Sequence, residues 1–151
     1  MTYNAGNYLR AAVEGASPVG LVVLLYDRLV CDLTRAIAAI ERGDVESRVA
    51  EINHAFLILG QLEGSLDSTQ APEAARTQAL FYQVARNRIM EAHLRSSREM
   101  LDEQIVLFNN VRAAWEQVDC MRNARVPAAP PPPKTTGNPE GEDLTSLDAT
   151  A

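Results

Sequence analysis

The 151-residue chain has few aromatic residues, few cysteines and no long apolar run. Aromatic side chains make up 5% of it, and its two cysteines, Cys31 and Cys120, are far apart. We expect both thiols to be reduced and to lie in or near the core, a disulfide or a reactive thiol being the alternative. No stretch approaches the roughly 18 apolar residues of a transmembrane helix, and the polar N-terminus lacks a signal peptide's apolar core. These absences predict a cytoplasmic protein.

An excess of positive charge is also absent. The net charge is −6, and up to Arg125 there are 13 arginines against 16 acidic residues. Beyond Arg125 one lysine stands against four acidic residues, so neither part carries a basic block. Nucleic-acid and anionic membrane surfaces are bound by clustered basic residues. We therefore expect neither nucleic acid nor a membrane among the partners.

Motifs that carry catalysis are missing as well. The chain has no Gly-rich phosphate loop, no Cys-x-x-Cys and no Gly-x-Ser-x-Gly. Glu51-x-x-His54 has the spacing of half a di-iron site, but no second such pair exists. Glu91 and His93 are two residues apart, which points them to different sides of a helix. We predict no enzymatic activity, no metal and no cofactor, and hence a binding protein; a metal-dependent bundle enzyme is the weakest alternative.

What the chain does have is helix-forming composition with clear helix boundaries. Ala, Leu, Arg and Glu dominate, and all four favour helices. Four helices are predicted, with starts at Ser17-Pro18, Asp44, Pro72 or Glu73, and Ser96 or Ser97. Gly43 is predicted to end the first helix, the third should end near Leu94, and the fourth should fade before Val126.

Apolar residues repeat at helical spacing in each predicted helix. The first helix carries the set Val22, Tyr26, Leu29, Leu33, Ala36 and Ile40. The third has a weaker face, with the set Leu80, Phe81, Val84, Ala85, Ile89 and Ala92. Short loops between four such helices predict an all-α, antiparallel up-down four-helix bundle over residues 17–125. Residues 1–16 form a short N-terminal segment, and the Pro-rich, acidic residues 126–151 are predicted to be a disordered tail.

One helix has more apolar residues than a core face needs. Leu21 to Tyr26 are six apolar residues in a row, and successive helix residues are about 100° apart, so they point in every direction. We assign Val22, Tyr26 and Leu29 to the core. The remaining apolar residues of this stretch are Leu21, Val23, Leu24 and Leu25. Two explanations stay open. Neighbouring helices and the N-terminal segment cover the remainder, or part of it is a groove for an amphipathic partner helix.

The stretch "NYLRAAVEGASPVGLVVLLYDRLV" resembles the opening of the FliS family of flagellin-specific export chaperones. The resemblance rests on Tyr8, Val13, Ala16-Ser17-Pro18 and Leu25-Tyr26-Asp27 at the family's spacing. Further segments are similar in the same order: "ERGD" (41–44), "LEGSLD" (62–67), "FYQVARNRIMEAHL" (81–94) and "LFNNVRAAWEQV" (107–118). The resemblance covers about residues 8–118. The chain departs from residues that are frequent in the family at Val19-Gly20, Val84 and His93.

The resemblance implies a cytoplasmic chaperone of flagellin. Such chaperones bind its disordered C-terminal segment, prevent premature polymerisation and deliver it to the flagellar type III export apparatus, while an N-terminal segment resembles a removable cap. We predict partner or cap contacts by Tyr8, Val13, Leu21, Leu24 and Leu25. Tyr26 is expected in the core with its hydroxyl at a polar edge. Asp27 either holds a neighbouring helix or the N-terminal segment, or is solvated. A bundle adaptor for another secretion or motility partner is the alternative function, and a weak homodimer stays open.

Overall fold

Four helices make up the described part of the chain. The computed structural model describes residues 15, 17–66 and 69–125. The helices are α1 (Pro18–Arg42), α2 (Val45–Gly64), α3 (Pro72–Arg95) and α4 (Arg98–Arg125). No strand occurs in these residues, which confirms the all-α class. The predicted N-terminal segment, apart from Gly15, and the predicted tail lie outside the described residues.

The first two helices begin and end where local chemistry predicted. The Ser17 Oγ accepts a hydrogen bond from the Gly20 amide at 3.0 Å, and Pro18 occupies the first helical position. Gly43 ends α1 in the left-handed conformation, with φ of 67°. Asp44 then caps α2 by accepting from the Ser47 amide at 3.0 Å.

The turn between α3 and α4 uses both predicted serines, each for a different helix. Ser96 ends α3 with φ of 49°. Ser97 precedes α4, and its Oγ accepts a hydrogen bond from the Met100 amide at 3.3 Å. The two alternatives for the start of the fourth helix are thereby resolved in favour of Ser97.

Contacts at opposite ends of the helices confirm the antiparallel up-down bundle. α1 packs against α2 and α4, and α3 completes the ring by packing against α2 and α4 less closely. At one end the Ser17 Oγ donates to the Asp119 carboxylate at 2.7 Å. At the other end the Arg98 guanidinium lies 2.5 Å from the Glu41 carboxylate. The start of α1 therefore meets the end of α4, and its end meets the start of α4.

Most of the predicted core positions are buried, but the predicted face of α3 was right only in part. The core of α3 consists of Tyr82, Ala85, Ile89 and Ala92, whereas Leu80 is 60% exposed and Val84 52% exposed. Tyr82 was not predicted to be in the core. Leu80, Phe81 and Tyr82 are consecutive apolar residues, so spacing alone did not say which of them points inward. In α2, Val45 and Val49 are likewise exposed, beyond the edge of the core.

The remaining expectations from composition concern thiols and membranes. Cys31 is half-buried and Cys120 is exposed, and neither forms a disulfide. Within the described residues, no helix has the length and apolarity that crossing a membrane requires.

Candidate partner-binding groove

An apolar groove runs along the side of α1. It has a volume of about 1060 Å³ and lies between α1, α2, the first half of α3 and the last turns of α4. We call it the α1 groove. Its lining residues from α1 are Pro18, Val19, Leu21, Val22, Leu24, Leu25 and Arg28. Its volume is slightly above the roughly 300–1,000 Å³ of typical ligand clefts.

The leucines left over from the predicted core stripe of α1 lie on this groove, and one of them, Leu25, also packs against the core. Leu21, Leu24 and Leu25 all line it, and each is half-buried. Val22, predicted as core, is half-buried at the core's edge and also lines the groove. Burial of apolar surface contributes roughly 25 cal/mol per Å², so an occupant that covers these side chains gains binding energy. Their role in binding stays a prediction.

Tyr26 does not lie on the groove surface. It is 1% exposed, and its hydroxyl is 2.9 Å from the hydroxyl of Tyr82. Its ring also packs against Phe108, with centroids 6.1 Å apart. Burial raises the pKa of both tyrosines, and the contact with Tyr82 raises that of Tyr26 further. Tyr26 thus supports the groove from the core, through its bond to Tyr82, which lines the groove floor.

Asp27 faces α4, away from the groove. Arg112 donates to both of its carboxylate oxygens, from Nε and, at 3.4 Å, from Nη2. Arg112 also donates to Glu116 at 3.0 Å, and the hydrogen bond to Asp27 is the main cause that raises the pKa of Arg112. Asp27 thus contacts the neighbouring helix α4 through Arg112, and its part in partner or cap binding stays a prediction.

A polar cluster that sequence reasoning missed interrupts the groove wall. Asp32 on α1 is fully buried, and its Oδ2 is 2.5 Å from Nδ1 of His54 on α2. Its Oδ1 lies 3.5 Å from Nε of Arg28, one turn earlier. Arg28 and His54 both line the groove. The i, i+4 spacing of Arg28 and Asp32 was readable in the sequence, but the pairing with His54 depends on how α1 and α2 align.

Two arginines and one histidine are the basic residues of the groove lining. They are Arg28, His54 and Arg122, with no aspartate or glutamate among its described lining residues. The described residues also contain no group of three or more histidine, cysteine, aspartate or glutamate side chains placed to hold a metal ion. His54 contacts the buried carboxylate of Asp32.

Two predicted contact residues, Tyr8 and Val13, lie outside the described residues. Their roles in capping or binding stay predictions. Ser17 and Pro18, which follow them along the chain, are described, and Pro18 lines one end of the groove.

A four-helix bundle with an open apolar groove defines the class of the molecule: a helical binding protein suited to an amphipathic segment. Comparison with known proteins gives the family. Residues 1–122 match the family of the flagellar protein FliS. Because that match spans most of the chain, the protein belongs to the FliS family, which supports a role as a flagellar secretion chaperone.

Curated relatives agree with this assignment. The chain is similar to the flagellar secretion chaperone FliS of Salmonella typhimurium, with 30% identity over 73% of this chain and 82% of the relative. It is 29% identical to flagellar secretion chaperone FliSB of Pseudomonas aeruginosa, over 73% of this chain and 87% of the relative. The FliS of Campylobacter jejuni is 27% identical, over 78% and 91% respectively. The resemblance noted from the motifs is thereby confirmed.

Proposed function

We propose that this protein is a cytoplasmic export chaperone that binds the C-terminal segment of flagellin in the α1 groove. The observation that carries the proposal is the placement of Leu21, Leu24 and Leu25, half-buried along an apolar groove of about 1060 Å³. Such a surface suits the apolar face of an amphipathic helix. Membership of the FliS family supports flagellin as the source of that helix.

Binding in this way explains both protection and release. A disordered segment that folds on the chaperone hides its own apolar face, so it cannot pair with other flagellin molecules. Ordering the segment opposes binding and keeps the affinity moderate for the area buried. The flagellin therefore stays monomeric yet can be handed to the flagellar type III export apparatus.

The N-terminal residues 1–16 act as a removable cap on the groove in this proposal. Pro18 lines the groove at one end, and the neighbouring Ser17 donates a hydrogen bond to Asp119 of α4. Tyr8 and Val13 supply the apolar contacts of the cap. A closed cap lowers the apparent affinity for flagellin, because only the open fraction binds. Deleting residues 1–14 should therefore tighten binding.

Replacing one groove leucine by a charged residue tests the proposal. Leu24→Glu should weaken flagellin binding at least tenfold, because a carboxylate would face the occupant's apolar surface. Leu57→Glu is the matched control: Leu57 is 66% exposed on α2 and does not line the groove. Affinity is measured by calorimetry and helicity by circular dichroism, with flagellin that has or lacks its C-terminal segment. Normal binding by folded Leu24→Glu, or binding that ignores the flagellin truncation, would contradict the proposal; the latter would favour the adaptor alternative.

A further inference from the structure

The chain passes the α1 groove a second time where α4 ends. Trp115 and Arg122, from the second half of α4, line the groove, and α4 ends at Arg125, about one turn beyond Arg122. The residues after Arg125 therefore start about 5 Å along the helix axis from a lining residue. Residues 126–151 thus begin beside the groove, and they lie outside the described part of the chain.

The sequence after α4 contains one pair of leucines, Leu144 and Leu147. Their spacing of three places them on one side of a helical turn. Glu142 and Asp143 directly precede them, and acidic residues are favoured in the first turn of a helix. We call residues 140–148 the tail segment. Its pattern is that of a short amphipathic helix, which is the kind of occupant that an apolar groove accepts.

The tail segment is acidic, and the groove lining offers it a cation. The segment has no basic residue, and its acidic residues are Glu140, Glu142, Asp143 and Asp148. In the groove lining, Arg28 and His54 already contact the buried Asp32. Arg122 is exposed and has no acidic partner within residues 17–66 and 69–125. Arg122 is thus the lining residue with which an acidic segment can pair.

The linker between α4 and the two leucines is long enough for this contact. Residues 126–143 separate Arg125 from Leu144, and a flexible chain of that length spans roughly 20–25 Å on average. The α1 residues that line the groove run from Pro18 to Arg28, a length of about 15 Å. A short linker also holds a tethered segment at an effective concentration in the millimolar range. A contact with a dissociation constant below that concentration is then mostly formed.

We propose that the tail segment occupies the α1 groove of its own chain until flagellin displaces it. Leu144 and Leu147 cover the groove leucines, and the acidic residues beside them pair with Arg122. The free chaperone then exposes less apolar surface, and flagellin has to displace an occupant in order to bind. Docking of the tail segment depends on the groove and the tail alone, whereas its effect on flagellin rests on the proposed function.

Residues 1–16 are the other candidate occupant of the free groove. Their charged side chains are Arg10 and Glu14, which cancel each other, so these residues lack the negative charge of the tail segment. Arg122 therefore favours the tail segment, and the two segments compete for one surface. If residues 1–16 always filled the groove, the tail segment would be excluded and its cross-links would map elsewhere.

Photo-cross-linking locates the tail segment directly. In the full-length protein, Leu147 is replaced by the photoreactive residue benzoylphenylalanine, and the cross-linked peptides are identified by mass spectrometry. Cross-links should map to groove residues of the same chain. The same label at Thr136, in the linker, is the matched control and should give severalfold fewer of them. Cross-links from position 147 that avoid the groove would overturn the proposal, and so would cross-linked dimers, because the occupant would then belong to a second copy.

The pairing with Arg122 is tested in the chain that carries the label at position 147. Arg122→Gln should lower the yield of groove cross-links severalfold, because the acidic residues of the tail segment lose their partner. The matched control is Arg35→Gln, an exposed arginine on α1 that does not line the groove. Equal yields in the two variants would overturn the charge contact that selects this segment as the occupant.

Flagellin affinity tests the competition. The double variant Leu144→Glu/Leu147→Glu should bind a peptide of flagellin's C-terminal segment about threefold more tightly or better, because a closed fraction no longer lowers the apparent affinity. Thr135→Glu/Thr136→Glu adds the same charge to the linker and keeps both leucines, so its affinity should equal that of the wild type. Calorimetry with the full-length proteins measures the affinities, and circular dichroism compares their helicity. Equal affinity of the two double variants would overturn the proposal.

The same measurements separate this inference from the proposed function. If no form of the chaperone binds the flagellin peptide while position 147 still cross-links to the groove, the proposed function fails and tail docking remains. If the peptide binds all forms equally and the cross-links avoid the groove, only tail docking fails. Leu24→Glu should lower both the flagellin affinity and the yield of groove cross-links, because both occupants use the same apolar surface.

Discussion

Single residues in the core join helices through polar atoms as well as apolar ones. The hydroxyls of Tyr26 and Tyr82 lie 2.9 Å apart between α1 and α3, among rings that include Phe81 and Phe108. Each hydroxyl is the partner of the other, so neither of these buried side chains is left without a hydrogen bond. A buried pair of this kind stabilises little in itself, but loss of one partner is costly.

The first prediction concerns this pair. Tyr26→Phe and Tyr82→Phe should each lower the free energy of unfolding by about 1–2 kcal/mol, because one buried hydroxyl loses its partner. The double variant should cost clearly less than the sum of the two. Urea unfolding of the four proteins measures this coupling. Additive losses would show that the hydroxyls do not depend on each other.

The pair also predicts how stability depends on alkaline pH. Burial raises the pKa of both tyrosines above the value near 10 of an unfolded chain. Above about pH 10 the unfolded state loses these protons while the folded state keeps them, so the free energy of unfolding falls as the pH rises. The double Phe variant should show a shallower fall between about pH 9.5 and 11. An identical slope would mean that other groups cause it.

At the scale of helices, local chemistry explains the boundaries. Gly43 ends α1 at φ of 67°, a conformation that costs other residues about 1 kcal/mol, while an added Cβ would meet no atom within 4 Å. Gly43→Ala should therefore destabilise the protein by about 1 kcal/mol through the backbone alone. Gly60→Ala is the control: it is exposed within α2, with equally open space, and should stabilise by about 0.5–1 kcal/mol. Thermal melts of both variants test the contrast, and changes of the same sign would contradict it.

Features that depend on how two helices align could not be predicted from local sequence chemistry. Ser17, Gly43 and Asp44 act on residues a few positions away, so their roles were readable from the sequence. Tyr82 and His54 take their places from partners on α1, 56 and 22 positions away. Spacing within one helix contains no information about those partners. Leu80 and Val84 were therefore wrongly assigned to the core face of α3, and the Asp32–His54 contact was missed.

Across the whole molecule, the surplus of apolar residues in α1 was the informative signal. A bundle needs one stripe from each helix, and the leucines beyond that stripe lie on the groove. The groove's opposite wall is α3, which packs less closely on its neighbours than α1 does. Its buried residues include only two large side chains, Tyr82 and Ile89, beside two alanines. The free chaperone thus leaves its partner-binding surface beside its least tightly packed helix.

This arrangement predicts where an occupant changes the chaperone's stability. The first half of α3 lines the groove through Ala74, Ala75, Gln78 and Tyr82, so an occupant joins α3 to α1. Amide hydrogen exchange in the free protein should be faster in the first half of α3 than in the middle of α1, which is buried between α2 and α4.

A flagellin segment at 100 times its dissociation constant should stabilise the folded state by about 2.7 kcal/mol. Exchange should slow most in residues 72–82 and least near the start of α4, which does not line the groove. Slowing that is greatest at the start of α4 would place the segment elsewhere on the bundle.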